Sequence, residues 1–178
     1  MLESKACSRY AVDPATSTLT FEAKSTLHAV RGRTDQLSGY VDAAWESDGS
    51  LALDPAPHMH VEFSVERLRS GNGLQDREMW RLIDSSRFPL IVADLRGLQP
   101  AARPGDYEGS GDITLAGRSR RYSGTLSVSR SHDGSSLTVD GSLTVDIRDF
   151  GLRPPNLLLV KVDPLVAVRL HLVAAVPA

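Results

Sequence analysis

Apolar and polar residues exchange places at almost every step along most of this chain. Leu19, Phe21 and Ala23 alternate with Thr18, Thr20, Glu22 and Lys24, and Met59, Val61, Phe63 and Val65 alternate with His60, Glu62, Ser64 and Glu66. Leu137, Val139, Leu143, Val145 and Ile147 do the same against Thr138, Asp140, Thr144 and Asp146. A β-strand points successive side chains to opposite faces, so a period of two gives each strand one dry face and one wet face. The pattern predicts strands near 17–24, 27–33, 36–46, 58–66, 89–97, 107–115, 120–130, 136–147 and 162–174. Turn-forming residues punctuate them at 46–50, 100–105, 116–117 and 132–135, as hairpins require. So many half-apolar strands can hide their dry faces by closing into a barrel or by pairing as a sandwich.

One segment breaks this rhythm. Between Asn72 and Phe88 the apolar Met79, Trp80, Leu82 and Ile83 fall at helical spacing, with Asp76 and Glu78 early and Arg81 late, and Pro89 ends the run. That order suits the helix dipole and predicts one short amphipathic helix near 74–86. Its apolar stripe is expected to cover the open end or one side of the barrel.

Composition narrows the function classes. At 178 residues the chain is long enough for one domain with a substantial core. A formal net charge of −2 offers no field for nucleic acid. Cys7 stands alone, so no internal disulfide can form. The opening MLESKACSRY has neither a basic stretch nor an apolar run, and the apolar stretches Leu157–Val160 and Leu172–Val176 are too short to span a bilayer. The expectation is a soluble cytoplasmic protein with a flexible segment over 1–9 and a single domain over 10–178.

Five short passages, taken in order, carry a resemblance. They are Tyr10-Ala-Val-Asp-Pro14 with Ser17-Thr-Leu-Thr-Phe21; Val30-Arg-Gly32 with Leu37-Ser-Gly39; Ser70-Gly-Asn72, Asp76-Arg77, Met79 and Arg87-Phe88-Pro89-Leu-Ile91; Gly111-Asp-Ile-Thr-Leu115 with Gly117; and Arg148-Asp-Phe-Gly151. Together they resemble the YceI-like family of lipocalin-like polyisoprenoid-binding proteins. The resemblance implies an all-β fold, an extended antiparallel barrel of about eight strands around an apolar tunnel. It implies a bound isoprenoid, quinone or fatty-acyl lipid held without covalent chemistry, and a homodimer is among the assemblies it implies. The chain departs from the family where Arg33-Thr34 and Ala93 stand at places usually held by aromatics, and where Ile83-Asp-Ser-Ser-Arg-Phe88 stands in place of paired phenylalanines before Pro89. Fewer rings imply a wider or differently shaped cavity.

Inward candidates for a ligand-binding wall are Leu19, Phe21, Val41, Trp45, Met59, Val61, Phe63, Ile91, Ile113, Leu115, Leu126, Val128, Val139, Leu143 and Val145. The helix adds Met79, Trp80 and Ile83, and the late loop adds Phe150 and Leu152. The same side chains would serve to fill a solid core, and alternation alone does not separate the two readings; the resemblance favours the hollow one. Arg31, Arg33 and Arg153 flank strand ends and are candidates for a lipid head group. His28, near a histidine position of the family, is expected to orient backbone or ligand. The Arg153–Val160 stretch, with two prolines before four apolar residues, reads as a lid, a dimer contact or a loop tucked onto the barrel. His58 and His60 share one strand face, as two metal ligands would, but no third ligand stands at a recognisable spacing. There is no nucleophile elbow, phosphate-cradling glycine loop or dinucleotide fingerprint. The expectation is therefore non-catalytic binding, storage or transport of a long apolar ligand, with no cofactor and no metal. A packed interaction module and an enzyme using His28 or the His58/His60 pair at the barrel mouth remain the alternatives.

Overall fold

The computed structural model describes residues 5–154, 156–157 and 160–178. Eleven strands run in chain order: β1 (Ser8–Val12), β2 (Thr18–Ser25), β3 (Val30–Thr34), β4 (Ser38–Ala43), β5 (His58–Ser64), β6 (Leu90–Pro100), β7 (Asp106–Leu115), β8 (Arg118–Arg130), β9 (Ser136–Asp146), β10 (Asn156–Leu157) and β11 (Val160–Ala175). One α-helix, α1 (Gly73–Ile83), lies between β5 and β6. All the pairings are antiparallel, and the order β1-β4-β5-β6-β7-β8-β9-β11 returns to β1, closing an eight-stranded barrel. Closure removes the exposed edges that so many alternating strands would otherwise present.

β1 and β2 form one stave interrupted by an outward loop. Both pair with β11: Ala11 and Val12 lie opposite Ala175 and Ala174, and Thr18 to Ser25 continue from His171 to Val162. Across the break, Ser17 stands in for a ladder residue. Its hydroxyl donates to Val173 O at 3.2 Å and accepts from Val173 N at 3.0 Å. Ser8 and Arg9 already pair with Ala43 and Asp42, so regular structure begins inside the segment expected to be flexible.

The inward side chains divide the barrel into two halves. At the end holding β1 and the start of β9, the interior is solid. Tyr10, Leu137 and Leu172 are each at most 1% exposed, and Val12, Val41, Leu51, Tyr107 and Val139 pack among them. The Trp45 indole donates to Tyr10 Oη at 3.0 Å, the Tyr10 hydroxyl donates to Gly134 O at 3.3 Å, and the Arg130 guanidinium lies 5.0 Å over the Trp45 ring. Each buried tyrosine or indole polar atom thus has a partner, as a dry interior requires.

The other end carries α1. Asn72 caps it, its side chain accepting from Leu74 N and Gln75 N, and Asp84 ends it in the left-handed conformation at φ 61°. Asp76, 4% exposed, ties the first turn down by accepting from both the backbone N–H and the hydroxyl of Ser70, each at 2.7 Å. The helix is shorter than predicted because the left-handed Asp84 turns the chain before Phe88.

Candidate functional site

In the half capped by α1 the barrel is hollow. The cavity measures about 480 Å³ and its wall is almost entirely apolar, within the ~300–1,000 Å³ typical of small-molecule sites. Strand alternation builds it. Leu19, Phe21 and Ala23 come from β2, Met59, Val61 and Phe63 from β5, and Ile91, Ala93 and Leu95 from β6. Ile113 and Leu115 come from β7, Leu126 from β8, Leu143 and Val145 from β9, and Val166, Val168 and Leu170 from β11. The helix presents Gln75, Glu78, Met79, Leu82 and Ile83 to the same space, spaced three to four residues apart as one helical face requires.

The register shows where the hollow stops. Leu126 lies opposite Gly141, Gly141 opposite Leu170, and Leu170 opposite Leu19, so these four form one belt that lines the cavity. One layer deeper, Val128, Val139 and Leu172 are cross-strand partners and do not border it. Glycines thin the wall at the belt: a Cβ on Gly109 would lie 2.7 Å from Leu126 Cδ1, and one on Gly141 2.7 Å from Leu126 Cδ2.

Polar side chains gather toward the mouth, where α1, the turn at 26–29 and the start of β11 meet. Glu78 is bound to Arg81 at 2.8 Å, with its carboxyl held below the usual range by that bond. Asp163 Oδ1 accepts from Leu165 N at 2.9 Å. The side chains of Gln75 and His28 line the cavity and enter no hydrogen bond among the described residues. Tyr122 lines the wall with its ring, while its hydroxyl accepts from Asp146 N at 3.1 Å and donates to the Asp149 carboxylate. Burial, and then that bond to Asp149, push its hydroxyl above the ordinary phenol value. No Lys or Arg among the described residues lines the cavity.

Of the residues singled out from the sequence, Leu19, Phe21, His28, Met59, Val61, Phe63, Met79, Ile83, Ile91, Ile113, Leu115, Leu126, Leu143, Val145 and Leu152 border the cavity. Val41, Trp45, Val128 and Val139 belong to the solid half. Trp80 turns away and donates its indole N–H to Leu68 O at 3.2 Å, with Arg69 over its ring. Phe150 is buried, stacked on Tyr122 at 6.0 Å behind the wall. The head-group arginines are corrected by strand phase. Gly32 is the inward residue opposite Phe21, so Arg31 and Arg33 point outward, where Arg31 binds Glu22 at 2.6 Å. Arg153 is exposed and also off the wall. In the proline-rich stretch, Pro155, Leu158 and Leu159 lie outside the described residues.

The reasoning from sequence missed Val166, Val168 and Leu170 as wall residues, although they alternate within the last predicted strand, 162–174. It also missed the wall glycines 109, 111, 124 and 141, whose only signal is that they share the phase of Ile113, Leu126 and Leu143. His58 and His60 sit on the outer face of β5, on either side of the cavity-lining Met59 and at the end of the strand away from α1, not at the mouth. His58 Nε2 and His60 Nδ1 both bond Asp94 Oδ1, at 3.0 and 2.9 Å, and Tyr40 packs on both rings. Among the described residues no group of three or more His, Cys, Asp or Glu side chains is placed to hold a metal.

Solved structures share this architecture. Burkholderia cenocepacia BcnA superposes with a TM-score of 0.74 at 18% identity, covering 92% of this chain and 99% of that one. A polyisoprenoid binding domain from Saccharophagus degradans gives a TM-score of 0.71 at 17% identity, with 94% and 98% covered. The Campylobacter jejuni YCEI protein gives 0.66 at 13% identity, with 84% and 86% covered. The sequence matches none of the curated proteins it was compared with. The family of YceI-like domains matches residues 10–174, nearly the whole barrel from Tyr10 to Ala174, and this chain belongs to that family.

Proposed function

We propose that this protein takes up a long apolar molecule (an isoprenoid, quinone or fatty-acyl lipid) and carries or stores it without covalent chemistry. The observation that carries this reading is the hollow half-barrel: about 480 Å³ walled by aliphatic side chains and capped by the apolar face of α1. Each methylene moved into such a space is worth about 0.8 kcal/mol, before the cost of ordering the chain is subtracted. The cavity recognises hydrocarbon rather than an anionic head, since no described Lys or Arg lines it. Gln75 and His28, with side-chain hydrogen-bonding capacity unused, are the groups to meet a polar head at the mouth. The similar fold of the polyisoprenoid binding domain from Saccharophagus degradans supports the ligand class. The reading is non-catalytic, and His58 and His60, bound to Asp94 on the outer wall, are assigned no part in it.

Native mass spectrometry and organic extraction of protein purified from its own host test this directly. The expected result is one lipid per chain, displaced by an uncharged apolar probe such as N-phenylnaphthylamine. An empty extract together with no probe binding would overturn it.

A further inference from the structure

Among the described residues five large apolar side chains stand strongly exposed: Leu27, Leu74, Leu90, Leu165 and Val176. All four leucines are at the α1 end of the barrel. Leu27 lies in the β2–β3 turn, Leu74 in the first turn of α1, Leu90 at the start of β6 and Leu165 near the start of β11. The two most exposed, Leu27 at 73% and Leu74 at 70%, each adjoin a cavity-lining residue, His28 and Gln75, on two different elements of the mouth. Exposed apolar side chains scattered singly need no explanation, but four gathered around the mouth of a greasy cavity do.

Charge is divided along the same axis. The four connections at this end, counted with three strand residues on either side, carry twelve of the chain's twenty basic residues and only seven of its twenty-two acidic ones. The rest of the molecule is correspondingly acidic, although the whole chain carries a formal charge of −2. Arg77, Arg118 and Arg120 are exposed at this end and enter no ion pair among the described residues.

We propose that the mouth end docks on the surface of an anionic lipid bilayer, with Leu27 and Leu74 entering the interface and the surrounding arginines meeting the phosphates. The proposal rests on the reading of the cavity as a lipid site, for which such docking would give passage between bilayer and barrel without crossing water. A few leucines at the headgroup boundary with a basic rim are what reversible interfacial binding needs. No helix among the described residues is long and apolar enough to cross a membrane. A second copy of this chain fits the face poorly, because a two-fold contact would bring two basic rims together.

Sedimentation with vesicles tests it. Wild-type protein is expected to pellet with phosphatidylglycerol/phosphatidylcholine vesicles at low salt, poorly with phosphatidylcholine alone, and less as salt rises. The double variant L27E/L74E should bind the anionic vesicles about tenfold more weakly, while its melting temperature and its affinity for detergent-dispersed N-phenylnaphthylamine stay unchanged. Equal binding of variant and wild type, or no wild-type binding to anionic vesicles, overturns the proposal. So does a concentration-dependent dimer abolished by L27E/L74E with no vesicle binding, which would assign the face to a second copy. Loss of probe binding by the wild type would instead count against the cavity reading, leaving the vesicle result to stand separately.

Discussion

Leu126 and Gly141 face each other across the β8–β9 ladder, and a Cβ on Gly141 would lie 2.7 Å from Leu126 Cδ2. The missing side chain lets Leu126 lie along the wall at the level where the cavity ends. Gly141→Ala is therefore expected to push Leu126 into the hollow. The clash is with the flexible end of a side chain, and alanine favours the strand over glycine, so stability should change by no more than about 1 kcal/mol. Affinity for an uncharged apolar probe should nevertheless fall. Paired thermal melts and probe titrations check this, and undiminished affinity would show that Leu126 is not the floor.

The two halves of the barrel should answer truncation differently. Leu172 is fully buried in the solid half, and Leu172→Ala is expected to cost about 2–5 kcal/mol in urea unfolding. Val168, on the same face of β11 but bordering the cavity, already lacks neighbours on one side. Val168→Ala should cost less stability, yet weaken binding of a cavity-filling ligand by about 1.5 kcal/mol, the worth of two methyl groups. The reverse ranking would mean that Val168 is packed and the hollow lies elsewhere.

That division is also where the sequence stops being legible. The alternation of Leu137, Val139, Leu143 and Val145 locates β9 and its inward face, but nothing in it separates Val139, which meets Val128 and Leu172, from Leu143, which faces empty space. The distinction depends on what arrives from outside the periodic strands. Trp45 and Leu51 come from the long β4–β5 connection and, with Tyr10 of β1, plug one end. Gly109, Gly124 and Gly141 carry no apolar signal at all, though they widen the wall. Arg31 and Arg33 show the opposite case. Their outward phase follows from Gly32 lying opposite Phe21, a register that a single sequence does not display. α1 was legible because Met79 and Ile83 share the inward face that their helical spacing implied, with Asp76 in the first turn and Arg81 in the last; the Asn72 cap and the Asp76–Ser70 bonds were not read from the sequence.

Asp76 holds the cap of the cavity in place. Its carboxylate accepts from the backbone N–H and the hydroxyl of Ser70, both at 2.7 Å. Asp76→Ala leaves that N–H without its partner, an expected loss of about 1–3 kcal/mol. Hydrogen exchange should quicken across 70–83 while the amides of β8 and β9 keep their protection. Ser70→Ala, which retains the backbone bond, should give the same pattern at smaller amplitude. Uniform quickening across the barrel would show that the cap and barrel open as one unit.

Acid should act on the hairpin between β8 and β9 through Asp133. Ser131 Oγ donates to Asp133 Oδ1 at 2.7 Å, and Ser135 donates to it through its N–H at 3.0 Å and its hydroxyl at 2.8 Å. These bonds, that from Ser131 foremost, favour the ionised form and hold the carboxyl at about 2, against an ordinary value of 3.8. Because the folded value lies below the unfolded one, the stabilisation is fully present above about pH 4 and is lost as pH falls toward about 2. Asp133→Asn should therefore lower the melting temperature at pH 7, and the gap from wild type should close between pH 4 and pH 2. Asp42 beside Arg9 and Asp146 beside Arg148 are also lowered, so the variant keeps an acid-sensitive limb of its own. A gap as wide at pH 2 as at pH 7 would mean that shape, rather than charge, is what Asp133 contributes to the turn.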